Sequence, residues 1–247
     1  MIVLKLGGSV ITEKDRPETL DGPALERATD AIAAALEDGD TTDLVIVHGG
    51  GSFGHHTASE HGVSTTDGTR DVAAVAEIHG AMKTLNQFVL GRLHGRDVAA
   101  VPVHPFSTAS RDEDGALELP ITQIQTLLAE GFVPVLHGDV IAHAGEGATI
   151  VSGDELVAEL ADALAAARVG LCSTVPGVLD ADDAVIDDIA AFEDVADVLG
   201  ASDATDVTGG MAGKVNTLLE LEAEASIFGL EDLERFLAGE RPGTTVQ

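Results

Sequence analysis

The sequence contains no tryptophan and no tyrosine, and only 7 of its 247 residues are phenylalanine. Hydrophobic residues nevertheless make up 45% of the chain, which is enough to form a sizeable core. That core must be built from valine, leucine, isoleucine and alanine. The composition therefore excludes an intrinsically disordered protein.

Disulfides and membrane spans are also excluded. The single cysteine, Cys172, lies in an apolar run and has no partner for an internal disulfide. No apolar run approaches the ~18 residues that a membrane-spanning helix needs. The first residues, MIVLKLGGSV, are interrupted by Lys5 and glycines too early for a secretory signal peptide. We expect a cytoplasmic protein that does not bind membranes.

Positive charge is scarce. The chain has 13 Lys and Arg residues against 43 Asp and Glu, and its net charge is −30. This balance excludes electrostatic binding to nucleic acid or to an anionic membrane. A lysine-poor, acidic surface is typical of proteins from halophiles that accumulate salt, because at molar salt the Debye length falls to ~3 Å and self-repulsion becomes tolerable. We therefore expect the protein to work in the cytoplasm of a haloarchaeon.

Short apolar segments alternate with helical patterns along the chain. The pattern predicts strands at 2–6, 44–48, 98–103, 132–136, 169–175 and 225–228, and helices at 23–37, 71–93, 121–130, 155–167, 188–199, 211–223 and 230–237. It also predicts hairpins at 107–119 and 140–151, a polar loop or lid at 57–70, and a last edge strand at 244–246. This order indicates an α/β fold, a three-layer αβα sandwich with a mostly parallel central sheet.

Three glycine loops adjoin predicted strands and helices: Gly7-Gly8-Ser9, HGGGSFGHH at 48–56, and the stretch from Asp206 to Gly210. Such loops let backbone N–H groups approach phosphate oxygens, and the helix that follows adds partial positive charge. A single loop is equally well explained as a tight turn. None matches the Walker A motif. GGGSFG fits a dinucleotide-binding fingerprint loosely, but the acidic residue expected at the next strand end is absent, so a Rossmann dehydrogenase is a minor alternative.

Three of the four lysines lie beside these loops, namely Lys5, Lys14 and Lys214, and we expect the fourth, Lys83, on a helix surface. Phosphoryl transfer requires fixed cations around the moving group and little covalent chemistry from the protein. The alternative is that these lysines only solubilise loops. Asp154 follows Ser152-Gly153 and is either an ordinary helix cap or a carboxylate that holds the lysines in place.

Taken together, these segments resemble the amino acid kinase superfamily, and within it the archaeal isopentenyl phosphate kinases. The resemblance is carried by Lys5-Leu6-Gly7-Gly8-Ser9, HGGGSFGH at 48–55, Lys14, His137-Gly138-Asp139, Ser152-Gly153-Asp154, and Asp206 to Met211 with Lys214. It implies a homodimer that transfers a phosphoryl group from ATP to isopentenyl phosphate, a small-molecule phosphate substrate, with Mg²⁺.

The resemblance also implies roles for single residues. Lys5 and Lys214 would hold ATP phosphates, and Lys14 would stabilise the transferring group. His55 would bind the substrate phosphate, and Asp154 would orient the lysines. The remaining ATP contacts would be Gly7, Gly8, Ser9, Gly51, Thr174 and Gly210, and the acceptor would lie near Gly50 and Gly153. The resemblance further implies one domain over 1–247, with 1–150 mainly for the acceptor and 151–247 mainly for the nucleotide.

One segment departs from the family pattern. The family usually shows an acidic TDVDGV after the strand at 169–175, where this chain has STVPGV at 173–178. The loss of both aspartates leaves open how the base and ribose are held.

Two other functions stay open. One is a kinase of the same fold for a carboxylate, carbamate, phosphonate or nucleotide, although a carboxylate would call for an arginine and Arg70 lies only at a loop end. The other is a nucleotide-binding regulator, which would need no transition-state cation. A metal site at His55, His56 and His61 would lack the second ligand cluster that zinc needs, so we predict no metal bound by the protein alone.

Overall fold

The computed structural model of the chain describes residues 1–39, 43–199 and 210–247. Its helices and strands are, in chain order, β1 (Ile2–Leu6), α1 (Gly8–Ile11), α2 (Gly22–Glu37), β2 (Leu44–His48), α3 (Gly51–Glu60), α4 (Val72–His94), β3 (Ala100–Pro102), β4 (Ser110–Arg111), β5 (Leu117–Glu118), α5 (Thr122–Ala129), β6 (Val133–His137), β7 (Asp139–His143), β8 (Gly147–Val151), α6 (Gly153–Ala163), β9 (Arg168–Ser173), β10 (Asp188–Ile189), α7 (Ala196–Leu199), α8 (Gly210–Leu219), β11 (Glu224–Gly229), α9 (Leu233–Leu237) and β12 (Thr244–Val246). Short 3-10 helices cover Pro105–Ser107, Phe192–Asp194 and Leu230–Asp232. No helix within the described ranges is both long and apolar enough to cross a bilayer.

The central sheet has eight strands in the order β10-β12-β11-β9-β1-β2-β6-β3. Neighbouring strands run parallel, except for the antiparallel pair β11 and β12. The two predicted hairpins form a smaller sheet in the order β5-β4-β7-β8. The prediction of an αβα sandwich around a mostly parallel sheet is confirmed.

Two apolar layers cover the two faces of the sheet. In β1, Leu4 and Leu6 pack on the side of α2 and α4, while Val3 packs on the side of α6 and α8. Because both faces are covered, the inner strands read as continuous apolar runs rather than as alternating patterns. Each buried leucine or valine contributes about 1.5–3 kcal/mol, so the helices are anchored to the sheet by aliphatic packing.

Side-chain caps fix where the predicted helices start. Asp21 accepts a hydrogen bond from the Ala24 backbone N–H at 2.9 Å at the start of α2. At the start of α6, Ser152 and Glu155 form a reciprocal capping box, with bonds of 2.8 and 3.1 Å. Such a cap contributes ~1 kcal/mol. It also fixes the orientation of Gly153 and Asp154, which follow it.

The prediction of a loop at 57–70 is wrong for its first four residues, since α3 continues through Glu60. The segment is rich in glycine, serine and histidine, and its helical propensity is low. Packing overrides that propensity because Phe53 and Ala58 are buried, Phe53 in the core beside α4. The Thr57 hydroxyl also donates to the Phe53 carbonyl at 2.9 Å.

Two predictions near the carboxyl end are also wrong. Residues 188–199 do not form one helix, because Ile189 is buried and Asp188–Ile189 pair with β12 as strand β10. For the same reason Thr244–Val246 is not an edge strand, since it lies between β10 and β11. The predicted glycine loop from Asp206 to Gly209 lies outside the described residues.

Candidate active site

A cavity of about 660 Å³ opens where β1, β2, β6 and β9 end. Ligands in open α/β sheets bind at the carboxyl ends of parallel strands, and ligand pockets typically measure about 300–1,000 Å³. The position and size of this cavity make it the candidate active site.

The first two glycine loops form one wall by packing backbone against backbone. A Cβ atom on Gly8 would lie 2.1 Å from the Gly51 nitrogen, and Gly51 itself has a positive φ of 49°. Both positions therefore require glycine. Thr12 ties the loops together, because its hydroxyl donates to the Gly8 carbonyl at 2.8 Å and accepts from the Ser52 N–H at 3.0 Å.

Two longer helices start at this wall. Gly50 is the N-cap of α3 and Ser152 is the N-cap of α6, and both residues line the cavity. The first N–H groups of a helix have no partner within the helix, and the helix dipole places partial positive charge there. The wall is therefore suited to an anion such as phosphate.

Lys5 and Asp154 form an ion pair inside the cavity. The Lys5 Nζ lies 2.6 Å from the Asp154 Oδ1, and the two side chains are only 9% and 13% exposed. Gly153 makes room for this pair, since a Cβ atom there would lie 3.2 Å from the Lys5 Cε. The carboxylate thus holds the ammonium near the end of β1.

The structure brings the three predicted lysines into this one cavity. Lys5 lines it from the end of β1, Lys14 from the exposed loop after α1, and Lys214 from α8. The Lys214 Nζ also donates to the Gly210 carbonyl at 3.4 Å. Lys83, predicted to be a surface residue, is exposed on α4 and does not line the cavity.

Most of the other predicted site residues also line this cavity. These are Gly7, Gly8, Ser9, Gly50, His55, Gly153 and Thr174. Gly51 and Gly210 are not among the lining residues; Gly51 packs beneath Gly8 instead. The individual ligand contacts of all these residues stay predictions.

The neighbouring histidines His55, His56 and His61 have different surroundings. His55 is exposed and lines the cavity. His56 lies 3.5 Å from Glu60 and His61 lies 2.7 Å from Glu77 in side-chain pairs outside the cavity. The rings therefore do not converge on one metal ion.

Sequence reasoning missed most of an apolar part of the cavity. It is lined by Ala58, Val63, Ile78, Met82 and Ile150. Helical spacing places Ile78 and Met82 on one face of α4, and both are buried. The helical spacing of these residues could not show that this face of α4 extends from the core into the cavity. This extension exists only because β7 and β8 lie opposite α4.

Among the described residues, two carboxylates line the site, and each lies beside a nitrogen-bearing side chain. Asp154 pairs with Lys5, and Asp139 lies 2.9 Å from the His79 Nδ1. Burial raises the pKa of Asp139 above its ordinary value, and the hydrogen bond from His79 acts in the opposite direction. The cations in the cavity that lack a carboxylate at salt-bridge distance are Lys14 and Lys214, within the described residues.

Comparisons with known proteins agree with this geometry. The model of the amino acid kinase family matches residues 1–227. The isopentenyl phosphate kinase of Haloferax volcanii is 61% identical over 100% of this chain and 98% of its own length. That of Methanothermobacter thermautotrophicus is 34% identical over 97% and 96%. An X-ray structure of isopentenyl phosphate kinase superposes with a TM-score of 0.86 at 31% identity, over 100% of both chains. The chain therefore belongs to the amino acid kinase family.

Proposed function

We propose that the protein transfers the γ-phosphoryl group of ATP to isopentenyl phosphate and releases ADP and isopentenyl diphosphate. The observation that carries this proposal is one cavity lined by three lysines, two glycine loops and His55, which continues into an apolar pocket. Relatives that match nearly the whole chain carry the same activity in their names.

The apolar pocket favours an isoprenoid acceptor over the acceptors of other kinases of this fold. Its five aliphatic and methionine side chains suit a short branched hydrocarbon tail. A carboxylate acceptor would call for an arginine beside this pocket, and none of the described lining residues is an arginine. Arg70, the arginine considered from the sequence, donates instead to the Gly145 carbonyl in the β7–β8 turn.

The chain's own groups can position and stabilise the reacting phosphates. Lys5 and Lys214 hold the nucleotide phosphates together with the backbone N–H of Gly8, and Lys14 neutralises charge on the transferring group. His55 donates to the acceptor phosphate. An oxygen of that phosphate attacks the γ-phosphorus while the bond to the β-phosphate oxygen breaks. Stabilising the developing charge by fixed donors supplies most of the rate enhancement in such a site.

No general base is required, since the attacking group is already an anion. A phosphate monoester loses its second proton with a pKa of about 6 and is a dianion at neutral pH. This agrees with a cavity whose two described carboxylates, Asp139 and Asp154, are both engaged with other side chains.

We also propose that Mg²⁺ enters the site with ATP. Among the described residues no group of three or more His, Cys, Asp or Glu side chains could hold a metal ion by itself. Mg²⁺ is usually bound by substrate phosphates, waters and one or two carboxylates, and Asp154 is the lining carboxylate beside Lys5. When bound, the ion neutralises charge on the β- and γ-phosphates.

Three broader features complete the proposal. Residues 1–150 mainly bind the acceptor, which is supported by His55, Val63 and Met82, while residues 151–247 mainly bind the nucleotide. The protein is a homodimer, which is supported by the exposed phenylalanines Phe88, Phe106 and Phe132. It works in a salt-rich cytoplasm, which is supported by the net charge of −30. Light scattering across a KCl series would test the dimer.

The direct test of the activity is an ADP-release assay in molar KCl with isopentenyl phosphate, fosfomycin, UMP and acetylglutamate in parallel. We expect kcat/KM for isopentenyl phosphate to exceed that of every other acceptor by at least about 100-fold, or about 2.7 kcal/mol. Preference for another acceptor would select the alternative kinase. ATP binding without turnover on any acceptor would select the regulator.

Two lysine variants provide a matched pair for that assay. Lys14→Ala removes a cation from the cavity, and Lys83→Ala removes an exposed lysine outside it. Only the first should slow ADP release, by about 100-fold or more. Equal activity of the two variants would contradict the assignment of the cavity as the active site.

A further inference from the structure

Three adjacent strands of the central sheet lead into histidines. β2 ends at His48, β6 ends at His137, and His104 follows β3 by two residues. These strands are neighbours in the sheet, in the order β2-β6-β3. The three rings therefore lie in a row under the candidate active site, and neither the proposed mechanism nor the comparisons assign them a role.

The rings contact one another, and those of His48 and His137 are shielded from solvent. His48 and His137 are both 0% exposed, and their ring centroids lie 5.4 Å apart in a stacked arrangement. The His104 Nδ1 lies 2.8 Å from the His137 Nε2. Buried polar groups need hydrogen-bond partners, so each ring nitrogen can be assigned as a donor or an acceptor.

The assignment starts from two backbone carbonyls, which can only accept. The His48 Nδ1 lies 3.1 Å from the Gly49 oxygen, and the His137 Nδ1 lies 2.9 Å from the Gly138 oxygen. Both Nδ1 atoms must therefore carry the hydrogen. In a neutral ring the Nε2 atom is then an acceptor. The His137 Nε2 accepts from His104, which agrees with the short distance between them.

The same assignment explains an otherwise unsatisfied buried amide. The His48 Nε2 lies 3.2 Å from the Asn86 Oδ1, while the Asn86 Nδ2 has no partner. Two acceptors face each other in that orientation. The oxygen and nitrogen of a side-chain amide are interchangeable by a flip, and the flipped amide donates to His48. The hydrogen bonds then run in one direction, from Asn86 through His48 to the Gly49 carbonyl.

We propose that His48 and His137 are positioning residues that hold the peptide after each strand, so that the Gly50 N–H faces the phosphate cleft. In a trans peptide the carbonyl of one residue and the N–H of the next point in opposite directions. With the Gly49 carbonyl held by the buried ring, the Gly50 N–H points away from it, and Gly50 lines the cavity. The Gly138 N–H donates to the His48 carbonyl at 3.0 Å and couples the two loops.

The arrangement requires neutral rings, and the surroundings keep them neutral. Burial lowers the pKa of His48 to about 4 and lowers that of His137 well below its ordinary value. Protonation would add a hydrogen to Nε2. In His48 that hydrogen would face a donor on Asn86, and in His137 it would face a donor on His104. The inference rests on the proposed function for the identity of the anion, but the tautomers can be measured without any substrate.

Two variants of His48 separate the positioning role from a merely structural one. In His48→Asn the side-chain amide nitrogen takes about the place of Nδ1 and keeps the donor to Gly49. In His48→Gln it takes about the place of Nε2 and loses that donor. We expect kcat within about threefold of wild type for the first variant and a loss of about 100-fold for the second, the size expected for one misplaced transition-state donor.

Control measurements accompany the pair. Urea unfolding in molar KCl should show similar losses of stability in both variants, since both remove the same ring. The exposed His56 serves as a matched control, and His56→Gln should leave kcat unchanged. Equal kcat losses in His48→Asn and His48→Gln would overturn the proposal.

The tautomers supply an independent test on the wild-type protein. Long-range ¹⁵N–¹H correlation spectra should show His48 and His137 with hydrogen on Nδ1 only, and titration with inorganic pyrophosphate should shift the Gly50 amide signal. Hydrogen on Nε2 of His48, or a Gly50 signal that pyrophosphate leaves unchanged, would overturn the inference. If the protein fails to phosphorylate isopentenyl phosphate while both spectra are as expected, the proposed function is wrong and the positioning role stands.

Discussion

The pair of Lys5 and Asp154 allows the sharpest test by substitution. Asp154→Asn preserves the shape of the side chain but removes the charge that lies 2.6 Å from the Lys5 Nζ. Both side chains are nearly buried, at 9% and 13% exposed, so water cannot fully replace the lost partner. We expect the variant to lose both stability and activity.

The magnitudes follow from the burial of the pair. Removing one partner of a buried ion pair costs about 3–5 kcal/mol, and the partial access of this pair to the cavity favours the lower end, about 3 kcal/mol. A displacement of a catalytic group by ~1 Å can cost ~100-fold in rate. We therefore expect kcat of Asp154→Asn to fall about 100-fold, and kcat of Lys5→Met to fall about 1,000-fold, since it removes the cation itself.

A double-mutant cycle distinguishes a residue that acts through Lys5 from one that acts alone. If Asp154 only holds Lys5, the variant with both substitutions should have the kcat of Lys5→Met, because nothing remains to be held. Urea unfolding should show a coupling of about 3 kcal/mol, since the double variant leaves no unpaired charge. Rate losses that multiply to about 100,000-fold would refute this reasoning.

Three further predictions follow from the site and its buried histidines. Lys14→Ala should lower kcat by about 100-fold or more with little change in KM, because its contact forms mainly in the transition state; steady-state kinetics in which KM alone rises would contradict that role. His55→Ala should abolish use of the phosphate acceptor while calorimetry still detects ATP binding at near wild-type affinity, and unchanged turnover would remove His55 from the mechanism. Between pH ~6.5 and ~4 the wild-type free energy of unfolding should fall by about 3 kcal/mol on account of His48, since the unfolded ring binds a proton that the folded ring with a pKa of about 4 does not. This stability is fully present above pH ~6.5 and is lost as the pH falls, while the raised pKa of Asp139 acts in the opposite direction over its own range. Urea unfolding of His48→Asn should show a flatter slope with pH, and an unchanged slope would contradict the assignment.

The order of strands and helices could be predicted because the inner strands carry strong signals. Segments such as LVIV at 44–47 are continuous apolar runs with glycines shortly after them, and the structure places that strand at Leu44–His48. The convergence of Lys5 and Lys14 could be anticipated as well, since Lys5 lies near the end of β1 and Lys14 lies in the loop region that follows it. The position of Lys214 relied on motif resemblance, because no local pattern relates α8 to β1.

What the sequence could not show depends on packing between distant segments. The start of α3 is stabilised by backbone contacts between Gly8 and Gly51, and no propensity scale contains such a contact. Strand β10 has only two residues and forms because Ile189 pairs with Val246 of β12. The row of histidines was hidden because each ring follows a different strand, and only the strand order makes them neighbours.

The central claim is that the three lysines and the glycine loops transfer a phosphoryl group to a phosphate held by His55. The most direct measurement is ³¹P NMR of ATP, Mg²⁺ and isopentenyl phosphate with the purified protein in molar KCl. We predict that the monophosphate signal is replaced by the two coupled signals of a diphosphate, in equal amount to the ADP formed. ADP formed without that diphosphate, or an unchanged monophosphate signal, would contradict the account.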